Sequence, residues 1–337
     1  MLLKEIIEFK NGKKKPSSKG SIPIYGGNGI LGYTDQNNQN GESLIIGRVG
    51  AYCGCVYSHY GKCWISDNAI VGKVNDGNDF YYCYYLLKRL NLNSRHVGSG
   101  QPLMTQEILN NIEINICDYE TQRKIGKILK NIDDKIRINN KINNNLHELE
   151  KNLYKEYFKD LDDTNTQKLG DLCKIKYGKG LPTTKIETEG YSVYGGNGII
   201  GYYHEFMYEE SQVLISCRGA ASGNVIVSKP HSFVTNNSLI LECDRKYHHY
   251  LKQYSLDNYY YEYTTGSAQP QITIDNIKDI ALNIPSEELL DKFNKQMEPL
   301  ENKYFSNLEE ISKLEQLRDT LLPKLMNGEI DLDNIEI

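Results

Sequence analysis

The feature that most constrains the fold of this 337-residue chain is that its motifs occur twice in the same order. The run Tyr25-Gly26-Gly27-Asn28-Gly29-Ile30-Leu31-Gly32-Tyr33 returns as Tyr194-Gly195-Gly196-Asn197-Gly198-Ile199-Ile200-Gly201-Tyr202, an offset of 194 − 25 = 169. Four further pairs follow in order, at offsets between 166 and 170: Lys10-Asn11-Gly12-Lys13 with Lys176-Tyr177-Gly178-Lys179, Arg48 to Gly54 with Arg218 to Gly223, Ser66-Asp67-Asn68-Ala69 with Thr235-Asn236-Asn237-Ser238, and Gly98-Ser99-Gly100-Gln101-Pro102 with Gly266-Ser267-Ala268-Gln269-Pro270. This period is too long for a solenoid unit, so the chain is predicted to contain a duplicated domain.

Each half begins with short runs rich in Val, Ile, Tyr and Thr that are separated by Gly and Asn clusters. Such runs predict strands joined by turns, for example Ser43 to Val49, Ala69 to Val74, Gln212 to Ser216 and Ser238 to Glu242. A long polar segment with apolar residues at steps of three and four then follows, which predicts a helix with a narrow apolar seam. The seams are Ile125, Leu129, Ile132, Ile136, Ile142, Leu146, Leu149, Leu153 and Tyr157, and Leu290, Phe293, Met297, Leu300, Tyr304, Leu308, Ile311, Leu314, Leu317, Leu321 and Leu325.

The two helices are predicted to pair antiparallel and to hold the two globular halves apart. Residues 121–159 carry ten basic and five acidic side chains, and residues 287–329 carry six and ten, so their opposite charges favour pairing. Asn139, Asn140 and Asn143 to Asn145 interrupt the first seam and Pro299 interrupts the second, and we expect a kink at each place. The alternative is that each helix packs only on its own domain.

Catalytic and cofactor motifs give no support for an enzyme. Gly27-x-Gly29-x-x-Gly32 and its repeat match the dinucleotide fingerprint only formally, because the residues that follow predict turns instead of a helix. We interpret these glycines as a tight β turn in which Asn28 and Asn197 adopt positive φ. No P-loop, H-E-x-x-H, G-x-S-x-G, Asn-Pro-Pro or Asp-Pro-Pro motif occurs.

Cysteine, histidine and hydropathy patterns exclude further classes. The eight cysteines form no C-x-x-C pair, so reduced thiols and no metal site are expected. His248 and His249 lie in a Lys- and Tyr-rich stretch, which predicts a solvated surface. The mean hydropathy is −0.56, no apolar run reaches about 18 residues, and charges interrupt the apolar N-terminus, so neither a membrane span nor a secretory signal is predicted, and we expect a cytoplasmic protein.

The remaining loops are rich in amides and carry isolated cations, a chemistry that suits DNA. Asn, Gln and Arg can bond base edges, and Lys can neutralise phosphate. The clearest phosphate candidates are the lysines of Lys13-Lys14-Lys15-Pro16-Ser17-Ser18-Lys19 and of its counterpart Lys179-Gly180-Leu181-Pro182-Thr183-Thr184-Lys185. The net charge of −5 indicates that any DNA would be shared with a partner that contributes cations.

The order of these motifs, repeated twice, resembles the specificity subunits of Type I restriction-modification systems. Besides the motifs above, the resemblance includes the helix endings Asn152-Leu153-Tyr154-Lys155-Glu156-Tyr157-Phe158 and Leu317-Arg318-Asp319-Thr320-Leu321-Leu322-Pro323-Lys324-Leu325-Met326-Asn327-Gly328-Glu329-Ile330. It implies an α+β fold with two tandem target recognition domains of mixed or antiparallel β structure and short helices, each followed by a long helix, the two helices forming an antiparallel coiled coil. The first repeat starts almost at Met1, so the conserved stretch that precedes it in many members is expected to be short or missing.

The resemblance also implies boundaries and partners. Target recognition domain 1 would span residues 1–118, the central helical spacer 119–160, target recognition domain 2 161–286, the C-terminal spacer 287–329 and a tail 330–337. The chain would be non-catalytic and would read a bipartite site in double-stranded DNA. Two methyltransferase subunits and restriction subunits would dock on it, and S-adenosylmethionine, ATP and magnesium would be bound by those partners.

Comparison of the halves assigns roles to single residues. Halves that read different sequences should differ where they touch bases and agree where they fold or grip the backbone, so Tyr25, Gly27, Gly29, Tyr194, Gly196 and Gly198 are assigned mainly to scaffold. Base readers are predicted in stretches that diverge, such as Ser58-His59-Tyr60-Gly61-Lys62 against Ser228-Lys229-Pro230-His231. The candidate DNA-binding residues are Lys13, Lys14, Lys15, Lys19, Arg48, His59, Lys62, Gln101, Lys179, Thr183, Lys185, Arg218, Lys229 and Gln269.

Two alternatives accompany some of these assignments. Arg48 and Arg218, taken as shared by both halves, could contact phosphate or form an internal salt bridge, and Gln101 and Gln269 could organise their loops or contact DNA. At the level of the whole chain, the alternatives are a nuclease or methyltransferase with degenerate motifs and a coiled-coil assembly scaffold without sequence readout. The missing catalytic motifs count against the first, and the duplicated polar loops count against the second.

Overall fold

A computed structural model describes residues 1–98, 100–161, 165–258, 260–266 and 269–332. Ser99, Ser267 and Ala268 of the repeated glycine-serine loops, and residues 333–337 of the predicted tail, lie outside the described residues. The chain divides into two compact units, residues 1–139 with 310–337 and residues 140–309. None of the helices in the described part of the chain is both long and apolar enough to cross a membrane.

Unit 1 is built on two small sheets. Its strands and first two helices are β1 (Ile7–Asn11), β2 (Ile22–Gly26), β3 (Gly29–Thr34), β4 (Glu42–Gly47), β5 (Val56–Tyr60), β6 (Trp64–Ile65), β7 (Ala69–Val74), α1 (Phe80–Arg89) and α2 (Gln106–Asn110). One sheet has the order β1-β7-β4-β5 and is antiparallel, and the other has the order β3-β2-β6, in which β2 and β6 are parallel. The helix α3 (Tyr119–Phe158) begins in this unit.

Unit 2 repeats this topology. Its elements are β8 (Thr166–Lys168), α4 (Leu169–Leu172), β9 (Cys173–Tyr177), β10 (Tyr191–Gly195), β11 (Gly198–Tyr203), β12 (Val213–Ser216), β13 (Val225–Val227), β14 (Phe233–Val234), β15 (Ser238–Cys243), α5 (Arg245–Asp257), α6 (Ile274–Ile277), β16 (Ala281–Asn283) and the start of α7 (Glu287–Met326). The sheets β13-β12-β15-β9 and β11-β10-β14 match those of unit 1, and β16 pairs with β8. The predicted duplication and the α+β fold class are therefore confirmed.

The central strands of the larger sheets carry the core of each unit. Leu44, Ile45 and Ile46 on β4 are fully buried, as are Val213, Leu214 and Ile215 on β12. These continuous apolar runs pack on both faces, which is why the sequence shows no alternation there. The four predicted strand runs coincide with β4, β7, β12 and β15, with ends that differ by no more than two residues.

The repeated Tyr-Gly-Gly-Asn-Gly run forms the tip of a β hairpin in each unit. The prediction that Asn28 and Asn197 adopt positive φ is wrong, because the left-handed positions are Gly29 (φ 79°) and Gly198 (φ 110°). Glycine takes these angles without the steric cost that a Cβ brings. The glycine motif therefore serves a β turn and opens no helix, as predicted.

The helices α3 and α7 are 40 residues long each and are continuous, both through Asn139 to Asn145 and at Pro299. Within unit 1, Arg318 donates to Asp133 (2.8 Å) and Asn139 donates to Glu310 (2.8 Å). Within unit 2, Asn307 donates to Asn143 (2.9 Å) and Gln296 donates to the hydroxyl of Tyr157 (2.6 Å). As the residue numbers on α3 increase, those of the bonded residues on α7 decrease, so the helices run antiparallel in each unit.

The predicted seams are buried or half-buried with two exceptions. Leu149 and Leu317, the thirty-first residues of α3 and α7, are 45% and 46% exposed, so their assignment to the seam is wrong. The helices also join the domain cores, because Ile125 and Leu129 pack in unit 1 and Leu290 and Phe293 pack in unit 2. Pairing and packing on a domain therefore occur together.

Candidate nucleic-acid interface

Four turns of unit 1 meet at the end of β4 where Gly47 lies opposite Ala69. The backbone N–H of Arg48 donates to the carbonyl of Asn68 (2.9 Å), and that of Gly50 donates to Pro102 (3.0 Å). A Cβ on Gly27 would lie 3.4 and 3.6 Å from the carbonyl oxygens of Asn68 and Val49, which are ordinary contact distances and place the hairpin tip against these turns. We call this assembly turn cluster 1; its residues are Asn28, Arg48 to Tyr52, Asp67, Asn68, Gln101 and Pro102.

Unit 2 contains the same assembly. The N–H of Cys217 donates to the carbonyl of Asn237 (3.0 Å), and that of Gly219 donates to Pro270 (3.0 Å). A side chain on Gly196 would lie 3.4 Å from the carbonyl of Asn237. Turn cluster 2 comprises Asn197, Cys217 to Ala221, Asn236, Asn237, Gln269 and Pro270.

These hydrogen bonds correct the pairing of the two arginines. Since Arg48 and Cys217 make the same bonds, Arg48 is equivalent to Cys217, and Arg218 is equivalent to Val49. Consecutive side chains of extended backbone point to opposite faces, so the two arginines do not play the same part. The Arg48 guanidinium donates to the backbone carbonyl of Asp67 (3.2 Å), and no ion pair involves either arginine among the described residues.

The lysine loops start beside the turn clusters. The N–H of Lys13 donates to Ile65 (2.9 Å), which puts Lys13 next to Ser66, and Lys179 lies next to Thr235 in the same way. The other predicted side chains of these loops are exposed: Lys14, Lys15, Lys19, Thr183 and Lys185. Exposed ammonium groups on a loop that starts at a turn cluster suit the neutralisation of phosphate.

The divergent loops lie at the other end of the same sheets. His59 pairs with Ser43 near the start of β4, and its two ring nitrogens lie 3.2 Å from the hydroxyl of Tyr25 and 3.2 Å from the carbonyl of Lys62. In unit 2 the N–H of Lys229 donates to the hydroxyl of Tyr194 (2.9 Å). The structure thus brings together Lys13, Arg48 and Gln101, and separately His59 and Lys62, but not the two groups.

Comparison with known proteins adds an independent finding. The family described as Type I restriction modification DNA specificity domain matches residues 1–148 and 162–316. The chain belongs to this family. We call the two matched segments the first and the second specificity domain.

Named relatives agree with this assignment. The chain is 34% identical over 111 residues to the EcoprrI specificity subunit of Escherichia coli, a match that covers 33% of this chain but only 28% of that protein. It is 25% identical over 310 residues to the MjaIX specificity subunit of Methanocaldococcus jannaschii, covering 77% of this chain and 71% of the relative. The crystal structure of a Type I restriction-modification S subunit from M. genitalium shares the fold, with a TM-score of 0.70, 20% identity and coverage of 97% and 95% of the two chains.

The two specificity domains differ at a few exposed or half-exposed positions inside the otherwise shared turn clusters. The pairs are Val49 and Arg218, Tyr52 and Ala221, and Asp67 and Asn236; Arg48 and its buried counterpart Cys217 differ as well. Tyr52 is 48% exposed. The sequence comparison had named Arg218 but missed the other five residues of these three pairs, because it misaligned the arginines by one residue and treated the shared turns as scaffold; alignment on Gly50 and Gly219 would have found them.

Several thiols of the specificity domains are shifted away from the reactive form. All eight cysteines are free, and they are buried or half-buried. Burial raises the pKa of Cys63 to about 11 and the pKa values of Cys83 and Cys173 to about 12. These thiols are protonated at neutral pH, whereas a nucleophilic cysteine needs a thiolate.

The predicted surface position of His248 and His249 is wrong. Both side chains are buried on α5 of the second specificity domain, 5% and 2% exposed, because this helix lies with them against α7. One ligand atom each of His248, His249 and Glu301 lies within 4.8 Å of the others, a donor set that could hold a divalent cation. The ammonium of Lys252 lies 3.1 Å from Glu301, however, and already neutralises that carboxylate.

Proposed function

We propose that this chain is the specificity subunit of a Type I restriction-modification complex and reads a bipartite DNA site. Membership of the specificity-domain family supports recognition of a DNA sequence. The observation that carries the bipartite reading is the presence of the same turn cluster in both units. Residues 1–118 and 161–286 would each read one half-site, and residues 119–160 and 287–329 would form the spacer as an antiparallel coiled coil.

Different side chains in and beside the turn clusters would contact the phosphates and the bases of DNA. Lys13 to Lys15, Lys19, Lys179 and Lys185 would neutralise phosphates and fix the register without reading sequence. Exposed amides such as Gln101 and Gln269 can bond the edge of adenine, and Arg218 can bond guanine. The positions that differ between the clusters, Val49 with Arg218 and Asp67 with Asn236, would then set different half-sites.

The remaining parts of the proposal concern partners. The relatives are named specificity subunits of Type I restriction enzymes, which supports an assembly with two methyltransferase subunits and with restriction subunits. In that assembly S-adenosylmethionine, ATP and magnesium are bound by the partners, and this chain is the non-catalytic part, working in the cytoplasm.

The test is methylated-base mapping in a host that expresses this chain with its neighbouring methyltransferase gene. Arg218→Val with Asn236→Asp gives turn cluster 2 two of the residues of turn cluster 1, and Val49→Arg with Asp67→Asn makes the reverse change. We expect a split methylated motif in which each double variant alters one half and leaves the other intact.

Matched variants in the divergent loops, at the end of the larger sheets opposite the turn clusters, show which of these two surfaces reads the bases. Tyr60 and Lys229 occupy equivalent positions there, so Lys229→Tyr and Tyr60→Lys are the controls. If these variants change the motif and the turn-cluster variants do not, the bases are read in the divergent loops. An unsplit or absent motif with the parent chain would overturn the proposal in favour of an assembly scaffold.

A further inference from the structure

The two long helices present different charges to the two specificity domains, half-buried in unit 1 and buried in unit 2. Both helices have 40 residues, so Asp133 on α3 and Glu301 on α7 hold the fifteenth position, and Glu150 and Arg318 hold the thirty-second. Unit 1 therefore combines an acid with a base at this level, and unit 2 combines two acids. The first specificity domain meets a neutral pair of charges and the second meets a double negative charge.

Unit 1 neutralises its charges within the helix pair. Nη1 of Arg318 lies 2.8 Å from Oδ1 of Asp133. The hydroxyl of Tyr85 on α1 donates to the other oxygen of Asp133 (2.6 Å), and Tyr84 lines the same cavity as Tyr85 and Asp133. The side chains that α1 places at Asp133 are thus uncharged, whereas its cations lie one turn further on, with Nζ of Lys88 5.1 Å from the centre of the Tyr84 ring and Arg89 donating to Asn327 (2.5 Å).

Unit 2 depends on the domain for a cation. Glu150 and Glu301 are 1% and 3% exposed, and Nζ of Lys252 on α5 lies 3.1 Å from a carboxylate oxygen of each. The neighbouring Gln253 donates to Glu150 (3.2 Å), and Arg245 lies farther from Glu301, at 3.9 Å. Burial alone would raise the pKa of both carboxyls, but the hydrogen bond of His147 and the charge of Lys252 at Glu150, and those of His248 and Lys252 at Glu301, lower each pKa below its usual range.

The equivalent of Lys252 in unit 1 is Tyr84. Gly54 packs on the backbone of Asn93, and Gly223 packs on that of Tyr261, with the added Cβ at 2.5 Å in both cases. Asn93, which follows α1, is therefore equivalent to Tyr261, which follows α5. Their residue numbers differ by 168, as do those of the first residues of α3 and α7. Tyr84 and Tyr85 therefore correspond to Lys252 and Gln253.

We infer that this charge pattern determines which specificity domain can occupy which position along the helix pair. The domain beside Glu150 and Glu301 must bring a cation at the position of Lys252, and the domain beside Asp133 and Arg318 must have none at the equivalent position. A buried carboxylate without a counter-charge is strongly destabilising, and a second cation beside Arg318 would be repelled. In a chain that works as proposed above, the pattern would also fix which half-site is read at which end.

Thermal unfolding of the full-length chain tests the rule through two double-mutant cycles. Lys252→Tyr and Glu150→Arg should each lower the melting temperature, by roughly 5–15 °C, while the double variant, which has the charge pattern of unit 1, should recover most of the loss. In unit 1, Arg318→Glu and Tyr84→Lys should behave the same way. If Lys252→Tyr does not fold, Lys252→Met removes the charge with a flexible side chain.

The control is Glu148→Arg, an equal charge change at an exposed position of the same helix. It should not rescue Lys252→Tyr. Double variants that are no more stable than the sum of their single changes would overturn the inference.

Exchange of the two domains within the chain tests the consequence for recognition. The chimaera should fold and direct methylation only when the transplanted first domain carries Tyr84→Lys and the transplanted second domain carries Lys252→Tyr, and its motif should then have its halves in reversed order. An unadjusted chimaera that melts like the parent chain would contradict the rule. If the parent chain directs no methylation, the proposed function fails, while the melting cycles still decide the charge rule.

Discussion

Some glycines with left-handed backbone angles are required only for the angle, and others also because a neighbouring backbone lies too close for a Cβ. Gly77 is an example of the first kind and Gly54 of the second. Gly54 has φ 83° and would place a Cβ 2.5 Å from the backbone nitrogen of Asn93, whereas Gly77 has φ 85° with nothing within 4 Å of that point. Gly77→Ala should cost about 1 kcal/mol for the backbone angle alone, and Gly54→Ala roughly 2–4 kcal/mol because the steric clash is added. Urea unfolding would measure both, and equal losses would show that the contact with Asn93 yields easily.

His249 should make stability depend on pH. Burial is the main cause that lowers its pKa from 6.5 to about 4. Between these values the unfolded chain binds the proton and the folded chain does not, so the stabilisation is complete above pH 6.5 and is lost as the pH falls towards 4. The loss between pH 7 and pH 5 should be about 2 kcal/mol and should be absent in His249→Gln.

The control for this titration is His96→Gln, since the side chain of His96 is exposed. This variant should keep the pH dependence of the parent chain. The same dependence in His249→Gln would mean that another group carries it.

At the level of elements, two asparagines show why the helix pair keeps its register. Asn143 and Asn307 are buried in unit 2 and share one hydrogen bond, while Nδ2 of Asn143 and Oδ1 of Asn307 have no partner. Asn143→Leu with Asn307→Leu removes these unpaired atoms and should raise the free energy of unfolding by roughly 1–3 kcal/mol. Each single change leaves the other amide buried without its bond and should be destabilising.

Denaturant unfolding measures these energies, with Asn144→Leu as the control at an exposed position of the same helix. Polar residues in an apolar seam specify register at a cost in stability. A double variant that is less stable than the parent chain would show that the amide pair contributes more than packing at this site.

For the whole molecule, the net charge of −5 means that attraction to DNA must come from local groups. Replacing Lys13, Lys14 and Lys15 by Ala should weaken DNA binding by the full-length chain with its methyltransferase partner at every sequence alike. The slope of log affinity against log salt should become shallower by about 0.9 for each phosphate that is no longer neutralised. Lys4, Lys73 and Lys88, which are also exposed, give a triple alanine variant of the same charge that should leave the slope unchanged.

Much of this organisation could be predicted from the sequence because it depends on local patterns. The duplication is visible as an offset near 169, the strands as apolar runs between turn residues, and the helices as steps of three and four. The paired order of motifs also led to the family, which the match over residues 1–148 and 162–316 confirms. The sequence by itself therefore determined the two domains, their fold class and the family.

Tertiary structure alone decided which residues share a surface. Hydrogen bonds from Arg48 and Cys217 join turns far apart in the chain, and their register moved the equivalence of the arginines by one residue, which turns a side chain to the other face. The burial of His249 and the exposure of Leu317 likewise follow from which helix packs against which, not from periodicity. A local pattern specifies which face of an element is apolar, whereas long-range contacts determine what that face meets and where the polar turns come together.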